Sequence, residues 1–251
     1  MNNVEFMETS DKQWKTIYKA GAITTIVVLC GIILDMVVGS VTGGDVAALP
    51  QTAIERFNQF KENGLLGLYN LDLLNIITQI IFIPSIFALY AAHRKTNNPS
   101  ALLALILFLV GTTIFVTSNT ALTMLDLSHK YFGAASDEQR LLLAAAGEAM
   151  LAKGAHGSLG VFIGFTLPQI ANVLMSGVMV NGRIFSRMTS YIGLAGNSLM
   201  VIYLILVTFI PAVEKLTLLF AMPAGLLVMV WMIMFTIRLF KLSNIKVDKV
   251  G

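Results

Sequence analysis

LLGLYNLDLLNIITQIIFIPSIFALYAA, residues Leu65–Ala92, stays apolar for longer than a helix needs to cross hydrocarbon. A layer ~30 Å thick takes about 20 residues at 1.5 Å each. Five further runs of this kind lie at Tyr18–Val41, Ala101–Leu125, Ser158–Val180, Met188–Ile210 and Leu216–Leu239. Lipid offers no hydrogen-bond partners, so only helices and closed barrels can span it, and runs this long exclude the roughly 10-residue alternation of a barrel strand. The sequence predicts an all-α polytopic bundle of six transmembrane helices, with residues 1–251 forming one integral membrane domain.

Composition agrees. Hydrophobic residues are 56% of the chain and charged residues 12%, about half the share usual in a soluble domain. Six spans use up the length, which leaves no room for a soluble catalytic domain. The first run is too long for a signal-peptide core, follows a polar lead and has no small-residue cleavage pattern, so it reads as a retained helix. Cys30, the single cysteine, falls within it and reads as a small buried apolar residue.

Charge sets the expected orientation. With the N-terminus inside, the inner segments hold Lys12, Lys15, Lys19, Arg94, Lys95, Arg183, Arg187, Arg238, Lys241, Lys246 and Lys249. The outer side has Arg56, Lys61, Lys130, Arg140, Lys153 and Lys215, outnumbered there by acids. The positive-inside rule then puts both termini in the cytoplasm. The net charge of +3 reflects that basic face, whose partner is the bilayer with its anionic headgroups, and no nucleic acid is called for.

Two outer connections are long enough for helices of their own. Thr42–Gly64 is expected to hold one that starts near Pro50 and turns Ala53, Ile54, Phe57 and Phe60 to one face. Asp126–Gly154 has Ser136 with Gln139 three residues on, a capping-box spacing, and Gly154 as a stop. These are expected to be two short extracytoplasmic helices that lie at the membrane surface or cap the bundle.

An ionisable group inside a span is costly and points to function. Asp72 qualifies, two turns into span two, with Asn75 and Gln79 at i+3 and i+7 on its face. Gln169, Asn172 and Ser176 repeat that spacing in span four, directly after Pro168, whose missing N–H frees a carbonyl. One reading makes Asp72, Asn75, Gln79, Gln169 and Asn172 a ligand-binding site open to the outer side. The other makes them interhelical hydrogen bonds, each worth roughly 0.6–2 kcal/mol. Asp35, nearer the interface, reads as hydrated. Gly157, Gly160 and Gly164 form a small-residue ridge that contains a GxxxG.

Catalytic motifs do not emerge. His129, His156 and Asp126 on the outer side could supply zinc ligands, yet no HxxxH, HExxH or CxxC spacing exists. There is no GxSxG elbow, Walker loop, dinucleotide fingerprint or haem attachment, so no catalytic residue and no cofactor is assigned. His93, next to Arg94, reads as an interfacial residue.

Two stretches resemble a family. LYNLDLLNIITQIIFIPSIFALYAAHRK (Leu68–Lys95) and the basic, aromatic turn NGRIFSRMTSYIGLAGN (Asn181–Asn197) are similar to bacterial membrane proteins grouped as domain of unknown function 4386. The resemblance implies a six-span protein of the bacterial plasma (inner) membrane with no assigned activity and no site residues to carry over. Three functions stay open. The first is binding or transport of a small molecule, lipid or proton through the polar site. The second is a non-catalytic interaction or accessory role, and the third a metal-dependent intramembrane hydrolase.

Overall fold

The computed structural model describes residues 3–41, 50–154, 158–210 and 214–244. Among them the chain is helical, without strands, and six helices are long and apolar enough to cross a membrane. This is a multi-pass membrane protein. The spans are built on α1 (Asn3–Val41), α4 (Leu73–His93), α5 (Asn98–Ser118), α8 (Leu159–Gly182), α9 (Arg187–Phe209) and α10 (Glu214–Ser243). Four shorter or amphipathic helices, α2 (Ala53–Glu62), α3 (Gly64–Tyr69), α6 (Ala121–Gly133) and α7 (Asp137–Gly154), gather at one end. We call that the capped end. The opposite, basic end carries Arg94, Arg183, Arg187 and Arg238.

The spans close into a ring in the order α1, α4, α5, α8, α9, α10 and back to α1, with α4 also touching α8 across it. Hydrophobicity does not decide which face points inward, because lipid tails are as apolar as leucine. Size and polarity do. On α5 the buried positions are Ala101, Ala104, Leu105, Phe108, Gly111, Thr112, Phe115 and Ser118, at helical spacing. Leu102, Leu103, Ile106 and Val110 of the same helix face outward, as Ile33, Leu34 and Met222 do elsewhere. Cys30 is also on an exposed face, so it is a lipid-side residue, contrary to the expected burial.

Glycines bring the backbones together. A Cβ on Gly111 would lie 2.4 Å from Pro168 Cδ, and one on Gly164 2.7 Å from Phe115. Gly160 fits against Ser118 in the same way. The small-residue ridge of span four is therefore used within the chain, to seat α8 on α5; Gly157 lies outside the described residues. On α1, Gly21 meets Ala88 at 2.4 Å from its would-be Cβ.

The capped end has its own core, with Ala53, Phe57, Phe60, Leu71, Ala121, Met124 and Leu151 buried together. Outside lipid such burial is favourable, at roughly 1.5–3 kcal/mol for each large side chain. α2 begins at Ala53, capped by a reciprocal Thr52–Glu55 box, and Pro50 precedes it. The face it buries is Ala53, Arg56, Phe57 and Phe60, while Ile54 is exposed. Glu148 of α7 accepts from the Ala53 N–H at 2.7 Å, which explains the carboxylate that interrupts the α7 apolar run. Ser136 caps α7 through the Gln139 N–H at 3.2 Å, and Gln139 Oε1 reaches back to the Ala135 N–H at 3.1 Å.

Two span limits differ from expectation. Span three stops at Ser118, where Asn119 donates to Leu71 O at 2.6 Å and accepts from the Ala121 N–H, so a break separates α6 from α5. Span two starts at Leu73; the residues from Leu65 onward form α3 and a turn. His93, expected at the interface, is fully buried. Its Nδ1 lies 2.9 Å from Leu89 O and its ring stacks on Phe185.

Candidate functional site

Four of the five residues singled out by spacing meet around one cavity. Asn75 and Gln79 of α4 face Gln169 and Asn172 of α8 across about 130 Å³, with Thr78, Pro168 and the rings of Phe82, Phe108, Phe165 and Trp231 completing the wall. α1 contributes Ile32, so five of the six spans border it. Gln79 lies about 10 Å along α4 from the capped end and Asn172 about 20 Å along α8, which puts the cavity in the membrane interior.

Asp72 is placed differently. It stands one residue before α4, in the left-handed region at φ 62° and ψ 21°, a conformation that Asp tolerates better than most residues. It is therefore not two turns inside a span, and it does not border the cavity. Its link to the site is a hydrogen bond, Asn75 Nδ2 to Asp72 Oδ1 at 3.0 Å. Around it are Tyr69, whose hydroxyl donates to Asp35 O at 3.1 Å, and the buried Arg56 of α2. Burial, a hydrogen bond with Asp35 and the carboxylates of Asp35 and Asp72 push the Tyr69 phenol up to about 12, so it remains a donor near neutrality. Burial lowers the Arg56 guanidinium, while Asp72 and Glu55 hold it up. The charged groups thus collect at the capped end, leaving the cavity lined by neutral dipoles and aromatic rings.

The polar atoms of the lining residues divide into two groups. Gln79 Nε2 is engaged, donating to Thr112 Oγ1 at 3.2 Å and to Gly164 O at 3.4 Å. Gly164 O is the carbonyl that Pro168, four residues on, leaves without its helical N–H, so the proline and the glutamine form one device. By contrast, Gln169 Oε1, Asn172 Oδ1 and Trp231 Nε1 are shut away with no hydrogen-bond partner among the described residues. Leaving such a group unpaired costs about 1–3 kcal/mol.

A larger groove of about 590 Å³ runs along α1, α3 and the start of α4, past Leu34, Leu65, Leu66 and Ile77. Leu34, Leu65 and Ile77 are among the exposed residues, so this groove belongs to the lipid-facing surface and offers no convergent polar groups. The small polar cavity is the better candidate.

Asp126 is paired with Lys130 at 2.6 Å on α6 and His129 is exposed. His156 lies outside the described residues. Among the described residues no three His, Cys, Asp or Glu side chains come close enough to hold a metal ion.

Sequence reasoning missed the aromatic half of the site. One signal was available: Trp231 sits in the middle of its apolar run, whereas tryptophan in membrane helices favours the interfaces.

Comparison with known proteins adds one match. The family model described as "Domain of unknown function (DUF4386)" matches residues 20–238, a range that reaches into all six spans. No curated protein and no solved structure matches.

Proposed function

The chain belongs to the DUF4386 family, and from that premise we propose that it admits a small, uncharged, polar molecule to its mid-membrane cavity. The carrying observation is that Gln169 and Asn172 line one cavity while Gln169 Oε1 and Asn172 Oδ1 have no hydrogen-bond partner among the described residues. No cavity-lining residue is ionisable, so an ion would enter without a counter-charge in a low dielectric, at a cost of several kcal/mol. A neutral molecule with both a donor and an acceptor, such as an amide or a polyol, matches the amide side chains of Asn75, Gln169 and Asn172. We place the protein in a bacterial plasma membrane with both termini cytoplasmic and the basic end against anionic headgroups, a reading supported by the positive charge of that end.

The test is solute entry into proteoliposomes, followed by stopped-flow light scattering with urea and glycerol as probes. Vesicles that contain the protein should equilibrate several-fold faster than protein-free vesicles, and Asn172→Leu should remove most of the difference. Equal rates for wild type and protein-free vesicles would falsify the reading.

A second reading has its own observation. Gln79 gives its Nε2 to Thr112 and Gly164, on two neighbouring helices. That is how polar groups act in a non-catalytic accessory protein, where they only hold the bundle together. Gln79→Leu lowers the melting temperature on either reading, so the solute measurement discriminates.

A further inference from the structure

Beyond the cavity wall lies a second set of buried polar atoms. Ser176 Oγ, Asn197 Oδ1 and Trp231 Nε1 belong to residues that are 0% exposed, and none has a hydrogen-bond partner among the described residues. Ser176 Oγ and Trp231 Nε1 meet at Gly193 of α9, and Asn197 is tied to the same residue by its amide. A Cβ there would lie 2.4 Å from Trp231 Nε1 and 2.5 Å from Ser176 Oγ. Asn197, one turn along α9, already gives its Nδ2 to Gly193 O at 2.7 Å, which fixes its Oδ1 as the free end. Ser176, Gly193 and Asn197 do not border the cavity; Trp231 belongs to both places. Its indole has one side among the cavity walls and its N–H edge on the glycine, and Phe235 braces it edge-on at 4.8 Å.

We propose that Trp231 is a gate between two polar compartments, the cavity and a second site around Gly193, and that the second site takes the same class of small uncharged donor–acceptor molecule. This rests on the cavity reading above. The chemistry of the second site matches that class: an N–H donor, a carbonyl acceptor and a hydroxyl that serves as either. Ser176 is one turn nearer the basic end than Asn172, so the two compartments follow one another along α8. Gly193 makes the closed position possible, because a side chain there would occupy the space of the indole edge. Turning the indole away from Gly193 joins the compartments and exposes all three unpartnered atoms to one molecule.

The test uses single cysteines in a Cys30→Ser background of the reconstituted full chain, alkylated by iodoacetamide, itself a small uncharged amide. Asn172→Cys reports the cavity and Ser176→Cys the second site. With Trp231 present, Asn172→Cys should react and Ser176→Cys should react at least tenfold more slowly. Trp231→Ala should bring the Ser176→Cys rate up to that of Asn172→Cys, whereas Trp231→Phe, which keeps the wall, should leave it slow. Failure of Asn172→Cys to react overturns the cavity reading itself. A reactive Asn172→Cys with a Ser176→Cys rate indifferent to Trp231→Ala, or already fast with Trp231 in place, overturns the gate alone. If Trp231→Phe speeds Ser176→Cys as much as Trp231→Ala does, the effect is loosened packing, and the gate is likewise overturned.

Discussion

Two seams of the ring are built from the same parts and finished differently. Where α1 crosses α4, Gly21 lets the backbones touch and hydroxyls fill the contact. Thr25 donates to Gly21 O at 2.7 Å and its oxygen lies 2.9 Å from Ser85 Oγ, Ser85 donates to Gly21 O at 3.0 Å, and Thr24 lies 2.8 Å from Ser85. Where α8, α9 and α10 meet, Gly193 plays the part of Gly21, but Ser176, Asn197 and Trp231 are left with unpartnered atoms. A seam that serves only to hold helices has every reason to close its hydrogen bonds, since lipid supplies none. On the proposed reading, the open polar valences of the second seam are kept for a ligand.

Substitutions test the contrast. The largest effect is expected from Gly21→Val, because even a Cβ there falls 2.4 Å from the Ala88 Cβ and 3.0 Å from Pro84 O, a backbone atom that cannot swing aside. Overpacking of this kind costs about 3 kcal/mol, read as a large drop in the melting temperature of the detergent-purified protein. Ser85→Ala comes next. It withdraws a donor from Gly21 O and removes the interhelical partner of Thr24 and Thr25, at about 1 kcal/mol, a modest but measurable fall in the same assay. Ser176→Ala is the smallest: removing a hydroxyl that bonds nothing should leave the melting temperature unchanged or slightly raised, since an unsatisfied buried group is itself a cost. If Ser176→Ala melts as low as Ser85→Ala, the two seams are alike and the contrast fails.

The six spans were legible because length and apolarity are properties of the chain read in order. So was the cap of α7 at Ser136, since it depends on local chemistry, whereas the carbonyl that Pro168 frees is met by Gln79 of another helix and not by the adjacent Gln169. What could not be read is what requires knowing which helices adjoin. Both faces of α5 are apolar, so its string from Leu102 to Val110 does not say that Leu103 faces lipid and Phe108 the cavity. Asp72 shows another limit. Its spacing from Asn75 and Gln79 suited one helical face, but Asn119 pulls on Leu71 O from a different helix, and Asp72 adopts a left-handed turn ahead of α4. The hydrogen bond to Asn75 preserves the association while changing its depth. Arg56 was overlooked because α2 looked like a helix with an all-apolar buried face.

Ring closure also orders the making of the molecule in time. The contact of α1 with α10 joins the earliest span to the latest, and the wall of the cavity needs Ile32 from one and Trp231 from the other. During synthesis, then, α1 enters the bilayer and waits through four further insertions with one flank uncovered. Neither compartment exists until α10 arrives, so a chain arrested before that point is an open crescent, recognisable to quality-control proteases by the unclosed edge of α1.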